Sequence, residues 1–155
     1  MNDDVAASEA RTPHEPSPRA ICEYALAKLC AGNTGIAFAL ITTRDARVVS
    51  YRAHASIDAG RLAAMTSSIL AVCESLSNEF DGGGCHSVAL SMREYTCVIA
   101  RIPAAQHSIS LAIGVRGDVL LAHARRMTLD LADRISASLD ALAIERAAGS
   151  PAPAT

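Results

Sequence analysis

The segment Gly35 to Thr42, GIAFALIT, is apolar at nearly every position, and that leaves it few ways to fold. A strand with one wet face alternates apolar and polar residues, because successive side chains point to opposite sides of the sheet. A strand without that alternation needs cover on both sides. The run therefore predicts a strand deep in a sheet that has layers above and below it. Thr43, Arg44, Asp45 and Ala46 supply a short turn, and Arg47 to Arg52, RVVSYR, resumes with β-branched and aromatic residues. The two runs predict a hairpin.

The covering layers are legible on either side. Ser17 is placed to cap a helix with Pro18 at its first position, and Ile21, Cys22, Ala25 and Leu29 form a narrow apolar stripe with Leu26 beside it. Gly32 and Asn33 stop that helix. Three strand candidates follow later: Ser87 to Met92, Tyr95 to Ile102 and Ser108 to Val115. From Asp118 to about Ala147 a long helix carries Leu120, Ala124, Met127, Leu131, Ile135 and Leu142 on one stripe, with Leu129 opposite it, exposed. Arg126, Asp130 and Arg134 are spaced to pair along one side.

Between the hairpin and the later strands lies Leu62 to Phe80, LAAMTSSILAVCESLSNEF, which reads as one helix with two different faces. Ser56 or Asp58 is positioned to cap it, and Asp81 with Gly82, Gly83 and Gly84 ends it. At 100° per residue, Leu62, Met65, Ile69, Cys73, Leu76 and Phe80 share an arc of about 80°, predicting a core-facing stripe. The opposite side carries Ala64, Ser67, Ser68, Ala71, Glu74, Ser75 and Asn78. Small, weakly polar residues there let another helix backbone approach closely. The element order is α-β-β-α-β-β-β-α, which predicts an α/β (α+β) fold. Its five-stranded antiparallel sheet has the central helix on one face and the terminal helices on the other.

Composition removes several function classes. The 155 residues fit one domain, placed at 17–148 between tails at 1–16 and 149–155 that lack apolar periodicity and are expected to be disordered. With 14 basic against 16 acidic residues, no tryptophan and few aromatics, there is neither a cationic surplus nor a stacking platform for nucleic acid. No basic start followed by an apolar run opens the chain, and no stretch of about 18 uncharged apolar residues occurs, so neither secretion nor membrane insertion is expected. Five cysteines, at 22, 30, 73, 85 and 97, fit reduced thiols in the cytoplasm.

Taken with the element order, the hairpin GIAFALITTRDARVVSY, the helix RLAAMTSSILAVCESL, the glycine cluster after it and the strand HSVALSM resemble the roadblock and dynein light chain domain family. That family is a relative of longin and profilin-like folds. The resemblance spans roughly residues 18–143. The sequence departs from the family at Arg44 to Arg47, where RDAR replaces the Asp-Gly turn of many members. The resemblance implies a homodimer whose central helices lie side by side and whose third strands pair edge to edge. His86, Val88 and Leu90 then belong to the contact, and the small face of Ala64, Ser67, Ser68, Ala71 and Ser75 suits the helix pairing. It also implies a Ras-like small GTPase as partner, with regulation of its nucleotide cycle as the role, including stimulated hydrolysis in some members. The chain itself lacks a G-x-x-x-x-G-K-[ST] loop.

An arginine supplied in trans stabilises transition-state charge in phosphoryl transfer. Arg44, Arg47, Arg61, Arg116 and Arg125 all fall near turns or helix starts, and Arg44 and Arg61 are the two placed to face the GTPase. No catalytic residue, metal or cofactor is expected. Cysteines and histidines are scattered rather than paired at ligand spacing, and no nucleophile elbow, H-E-x-x-H pair or dinucleotide fingerprint occurs. Cys73, on the core stripe, is expected to be inert, and Cys85 beside His86 to be more exposed. Two other readings stay open: a profilin- or PAS-like sensory or scaffold domain holding a small molecule between sheet and helix, and a thiol enzyme acting through Cys85.

Overall fold

GIAFALIT forms β1 (Ile36–Thr43), second from one edge of a five-stranded sheet. The computed structural model describes residues 16–54, 56–104 and 107–149. The other elements are α1 (Pro18–Gly32), β2 (Val48–Ala53), α2 (Ala59–Glu79), β3 (Ser87–Ser91), β4 (Tyr95–Ile102), β5 (Ile109–Arg116) and α3 (Leu121–Gly149). Strand order is β2-β1-β5-β4-β3 and every neighbouring pair is antiparallel. The expected tails fall, apart from Pro16 and Gly149, outside the described residues.

α1 and α3 lie together on one face and α2 lies on the other, as the covered strand requires. Alternation then divides the central strands. Ala39 and Ile41 of β1, Val98 and Ala100 of β4, and Leu111, Ile113 and Val115 of β5 pack under α1 and α3. Leu40, Cys97, Ile99 and Ala112 pack under α2. In α1, Cys22, Leu26 and Leu29 are buried, and the Ser17 hydroxyl accepts from the Ala20 N–H at 3.1 Å, the cap that Pro18 at the first position calls for.

α3 starts at Leu121, three residues later than Asp118, because 116–119 close a turn in which the Val119 N–H reaches the Arg116 carbonyl at 3.0 Å. Leu120 is therefore outside the buried stripe and 77% exposed, whereas Leu129 is half-buried against the core rather than facing solvent. Along α3, Arg126 pairs with the Asp130 carboxylate at 3.6 Å, while Arg134 Nε reaches the Asp130 carbonyl instead.

The β1–β2 turn forms without glycine. Ala46 takes φ +63°, a left-handed conformation that Cβ normally penalises. A polar network holds it there: Thr43 Oγ1 donates to Asp45 Oδ1 at 2.6 Å and accepts from the Arg47 N–H at 3.0 Å, and Arg47 pairs with Asp45 at 2.8 Å. These contacts also hold the Asp45 carboxyl below its ordinary value, the Thr43 hydroxyl contributing most.

Candidate interaction site

α2 meets its own sheet through Ala63, Thr66 and Leu70, not through the stripe that hydrophobic periodicity selects. Of that stripe, Leu62, Ile69 and Cys73 are half-buried, while Met65 is 47%, Leu76 56% and Phe80 76% exposed. Val72, between them, is 68% exposed. The helix is turned by about 90° from the expected orientation, at 100° per residue. The cause lies beneath it. Ala112 and Gly114 of β5 offer little side chain, and the Phe38 ring lies directly over Gly114. Small residues on the helix fit that shallow floor, and the larger ones are left on its flank.

That flank faces β3. Leu62 and Ile69 join Val88, Leu90 and Cys85 in one cluster, and Met65, Val72 and Leu76 continue the row outward. Among the described residues β3 pairs only with β4, which leaves its other edge unpaired there. On the opposite side of the sheet Ala89 is exposed. An apolar helix row beside an unpaired strand edge is a surface that proteins ordinarily cover. The spacing of the row is itself informative. Leu62, Met65, Ile69, Val72 and Leu76 recur at intervals of three, four, three and four residues, the heptad pattern of a helix that packs on another helix. Sequence reasoning passed over Val72, and this alternation was the signal for it.

The small-residue face lies on the other flank. Ser67, Ala71 and Ser75 line a cleft of about 330 Å³ together with Arg44, Glu74 and Arg101. Ser67 Oγ donates to the Thr43 carbonyl at 3.3 Å, which fastens α2 to the hairpin turn. Ser68 and Ser75 turn their hydroxyls back onto the Ala64 and Ala71 carbonyls, at 2.9 and 3.1 Å. Arg101 ion-pairs with Glu74 and donates from Nε to the Cys85 carbonyl at 3.3 Å, clipping α2 to the chain entering β3.

The eight residues expected at one contact thus separate into two groups. Ser67, Ala71 and Ser75 share the Arg44 flank and Ala64 and Ser68 are exposed, whereas Val88 and Leu90 lie under the apolar row and the exposed His86 lines a neighbouring cleft with Glu74 and Arg101. Arg61 is exposed in the first turn of α2, where Asp58 Oδ1 caps its N–H at 3.0 Å. Neither Arg44 nor Arg61 makes an ion pair among those seen in the described residues.

Burial pushes the thiols of Cys22 and Cys97 up to about 11, so both are inert packing residues. Cys73, expected in the core, is half-buried, as is Cys85. Among the described residues no group of three or more His, Cys, Asp or Glu side chains could hold a metal ion, and no helix is long and apolar enough to cross a membrane. An open groove of about 560 Å³ lies between α1 and α3 on the other side of the sheet.

The sequence model of the Roadblock/LC7 domain matches residues 24–109, from α1 to the start of β5. A search of the curated proteins returned no match. Among solved structures, the fold is shared with a Roadblock/LC7 domain from Streptomyces avermitilis at 17% identity and TM-score 0.66, covering 76% of this chain and 96% of that one. It is shared with Myxococcus xanthus MglB at 11% identity and TM-score 0.66, covering 86% and 95%. The gliding protein MglB from Thermus thermophilus matches at 13% identity and TM-score 0.67, covering 84% and 93%.

Proposed function

Because the chain belongs to the Roadblock/LC7 domain family, we propose that it is a non-catalytic regulatory protein of the cytoplasm that pairs with a second copy of itself and docks a Ras-like small GTPase. One observation carries the pairing: the heptad-spaced row from Leu62 to Leu76 runs beside the open edge of β3. In a two-fold pair the β3 edges, with His86, Val88 and Leu90, complete each other's hydrogen bonds while the apolar rows of the two α2 helices meet. Ala64 and Ser68 lie at the outer margin of that contact, and Ser67, Ala71 and Ser75 stay on the Arg44 side, facing the cleft.

Light scattering on the purified chain at micromolar concentration is expected to give twice the chain mass. Val72→Glu combined with Leu76→Glu is expected to weaken the pair by at least about a hundredfold, since two central apolar anchors would each be replaced by a desolvated charge. Both sites are already exposed in the single chain, so its circular dichroism should be unchanged. A wild-type monomer, or a charged variant that still pairs, would end this reading.

The GTPase belongs to the other flank, where Arg44 stands free above a polar cleft, with Arg61 one helical stretch away. The chain carries no phosphate-binding loop of its own, so any effect on nucleotide turnover is exerted on the partner, by stimulation or by sensing of its bound state. Capture from host lysate loaded with GTP or GDP is expected to retain a small GTPase in one nucleotide state, and Arg44→Glu is expected to lose it. Equal retention in both states, or none, would remove the GTPase from the proposal while leaving the pairing intact.

A further inference from the structure

The sheet face under α2 changes character along its own strands. Leu40, Ala112 and Ile99 stand side by side across β1, β5 and β4, and the next row on that face is Thr42, Ser110 and Arg101. The Arg44 N–H carries the ladder on by donating to the Ser108 carbonyl at 3.0 Å, so alternation brings Arg44 to the same face one step further along. Over this end α2 sets Ser67, Glu74, Ser75 and Asn78, and the space between is the polar cleft of about 330 Å³.

Its charges and hydrogen bonds do not balance internally. Arg44 and Arg101 face Glu74 alone, which leaves one positive charge in excess. Arg101 gives Nη2 to Glu74 and Nε to the Cys85 carbonyl, which leaves Nη1 to spare among the described residues. Ser110 is 5% exposed, yet its hydroxyl meets no hydrogen-bond partner among the described residues. A hydroxyl buried that far is ordinarily paired. Thr42, beside it in the row, donates to the Arg47 carbonyl at 2.9 Å, whereas Ser110 opens into the cleft.

We propose that this cleft binds a phosphate group, free or as the monoester of a small molecule, with Arg44, Arg101 and Ser110 as its donors. The three come from the turn and from two strands of the floor, an arrangement that suits a tetrahedral group with three free oxygens better than a flat carboxylate with two. Ser67 and Ser75 already give their hydrogens to the Thr43 and Ala71 carbonyls, so toward the cleft they are acceptors, fit for hydroxyl groups on the molecule that carries the phosphate. Glu74 works against the site, because its carboxylate competes for Arg101 and repels the ligand. Arg44 is also the residue left free for the GTPase, so a phosphate seated here weakens that docking. This consequence rests on the docking reading; the phosphate site does not.

The test is a titration of the full-length protein with glycerol 3-phosphate, inorganic phosphate and acetate in turn, at constant ionic strength, followed by amide shifts in NMR spectra. Both phosphates are expected to bind with Kd on the order of 1 mM or tighter, shifting the Ser67 and Ser110 amides, and acetate about tenfold more weakly. An ester that binds more tightly than the free ion shows that Ser67 and Ser75 take its hydroxyls, and the reverse order leaves the phosphate group as the whole ligand. Arg44→Gln and Ser110→Ala are each expected to weaken binding about tenfold, whereas Glu74→Gln strengthens it by freeing Arg101. Arg126→Gln removes the same charge from α3, across the sheet, and should change nothing. Acetate bound as tightly as phosphate, wild-type affinity in both weakening variants, or an equal loss in Arg126→Gln would overturn the site. In capture from desalted host lysate, glycerol 3-phosphate is expected to lower GTPase retention, and unchanged retention removes the consequence. Phosphate binding in a protein that captures no GTPase would sink the docking and leave the phosphate site standing.

Discussion

The two faces of the sheet are built to different depths. Under α1 and α3, eighteen described apolar residues form one buried cluster, whereas under α2 there are six. The first face is a finished interior. Leu131, Ile135 and Leu139 of α3 share one buried cluster with Val98, Leu111 and Ile113. The second face buries only Leu40, Leu70 and Ile99 among large side chains, beside the small Ala63, Cys97 and Ala112, and leaves Met65, Val72 and Leu76 exposed at the flank. A thin interior beside an apolar row is what remains when a helix contributes to two contacts rather than one.

The largest expected difference is in truncation. Leu139→Ala removes a side chain 2% exposed inside the thick cluster and is expected to cost about 3 to 5 kcal/mol, the range for a cavity that close neighbours cannot fill. Leu70→Ala, 3% exposed but under α2, is expected to cost about 2 kcal/mol, because a helix on a shallow floor can settle into the space. Urea denaturation of both variants at one concentration measures the gap. Equal costs would mean that the α2 face is as tightly packed as the other.

An intermediate effect is expected at Gly114. A Cβ there would overlap the edge of the Phe38 ring, and Phe38 is half-buried, so the ring can move outward only by lifting α2. Gly114→Ala is expected to destabilise by about 1 to 3 kcal/mol, the cost of overpacking, and Phe38→Leu in the same chain should recover part of it. A neutral Gly114→Ala would show that α2 floats freely above the sheet.

The contrast between the faces also marks how far the sequence could be read. Everything set by local pattern was legible: the covered strand β1, the Ser17 cap, the glycine stop after α2, and the order of elements. The split of the sheet into two covered faces followed from GIAFALIT alone. What could not be read from one period was the rotation of α2. A moment calculation weights residues by size and apolarity, so it pointed Met65, Leu76 and Phe80 inward. The sheet beneath selects instead for residues small enough to approach it, and Thr66 qualifies where Met65 does not. The heptad alternation of Leu62, Met65, Ile69, Val72 and Leu76 did carry the distinction, since a stripe repeating every 3.5 residues suits a helix partner. The Arg101–Glu74 clip had no local signal, because it joins residues that only the fold brings together.

The smallest effect tests how the thin face is fastened at its rim. Ser67 ties α2 to Thr43, and Thr43 is the residue whose hydroxyl organises the β1–β2 turn. Within that turn Ala46 holds φ +63°, which costs roughly 1 kcal/mol for a residue with a Cβ. Glycine relieves that strain but gains freedom in the unfolded chain worth about 0.5 kcal/mol. Ala46→Gly is therefore expected to stabilise by about 0.5 kcal/mol, a rise of a degree or more in melting temperature for a chain of this length. The sign is what decides. A gain means that the polar network around Thr43 and Asp45 holds a strained turn in place, so the α2 face is anchored partly by hydrogen bonds where the α1 and α3 face is anchored by volume. A loss means that the turn relaxes without strain and the entropy of glycine dominates, which would leave the packing of Leu70 and its five companions to hold α2 alone.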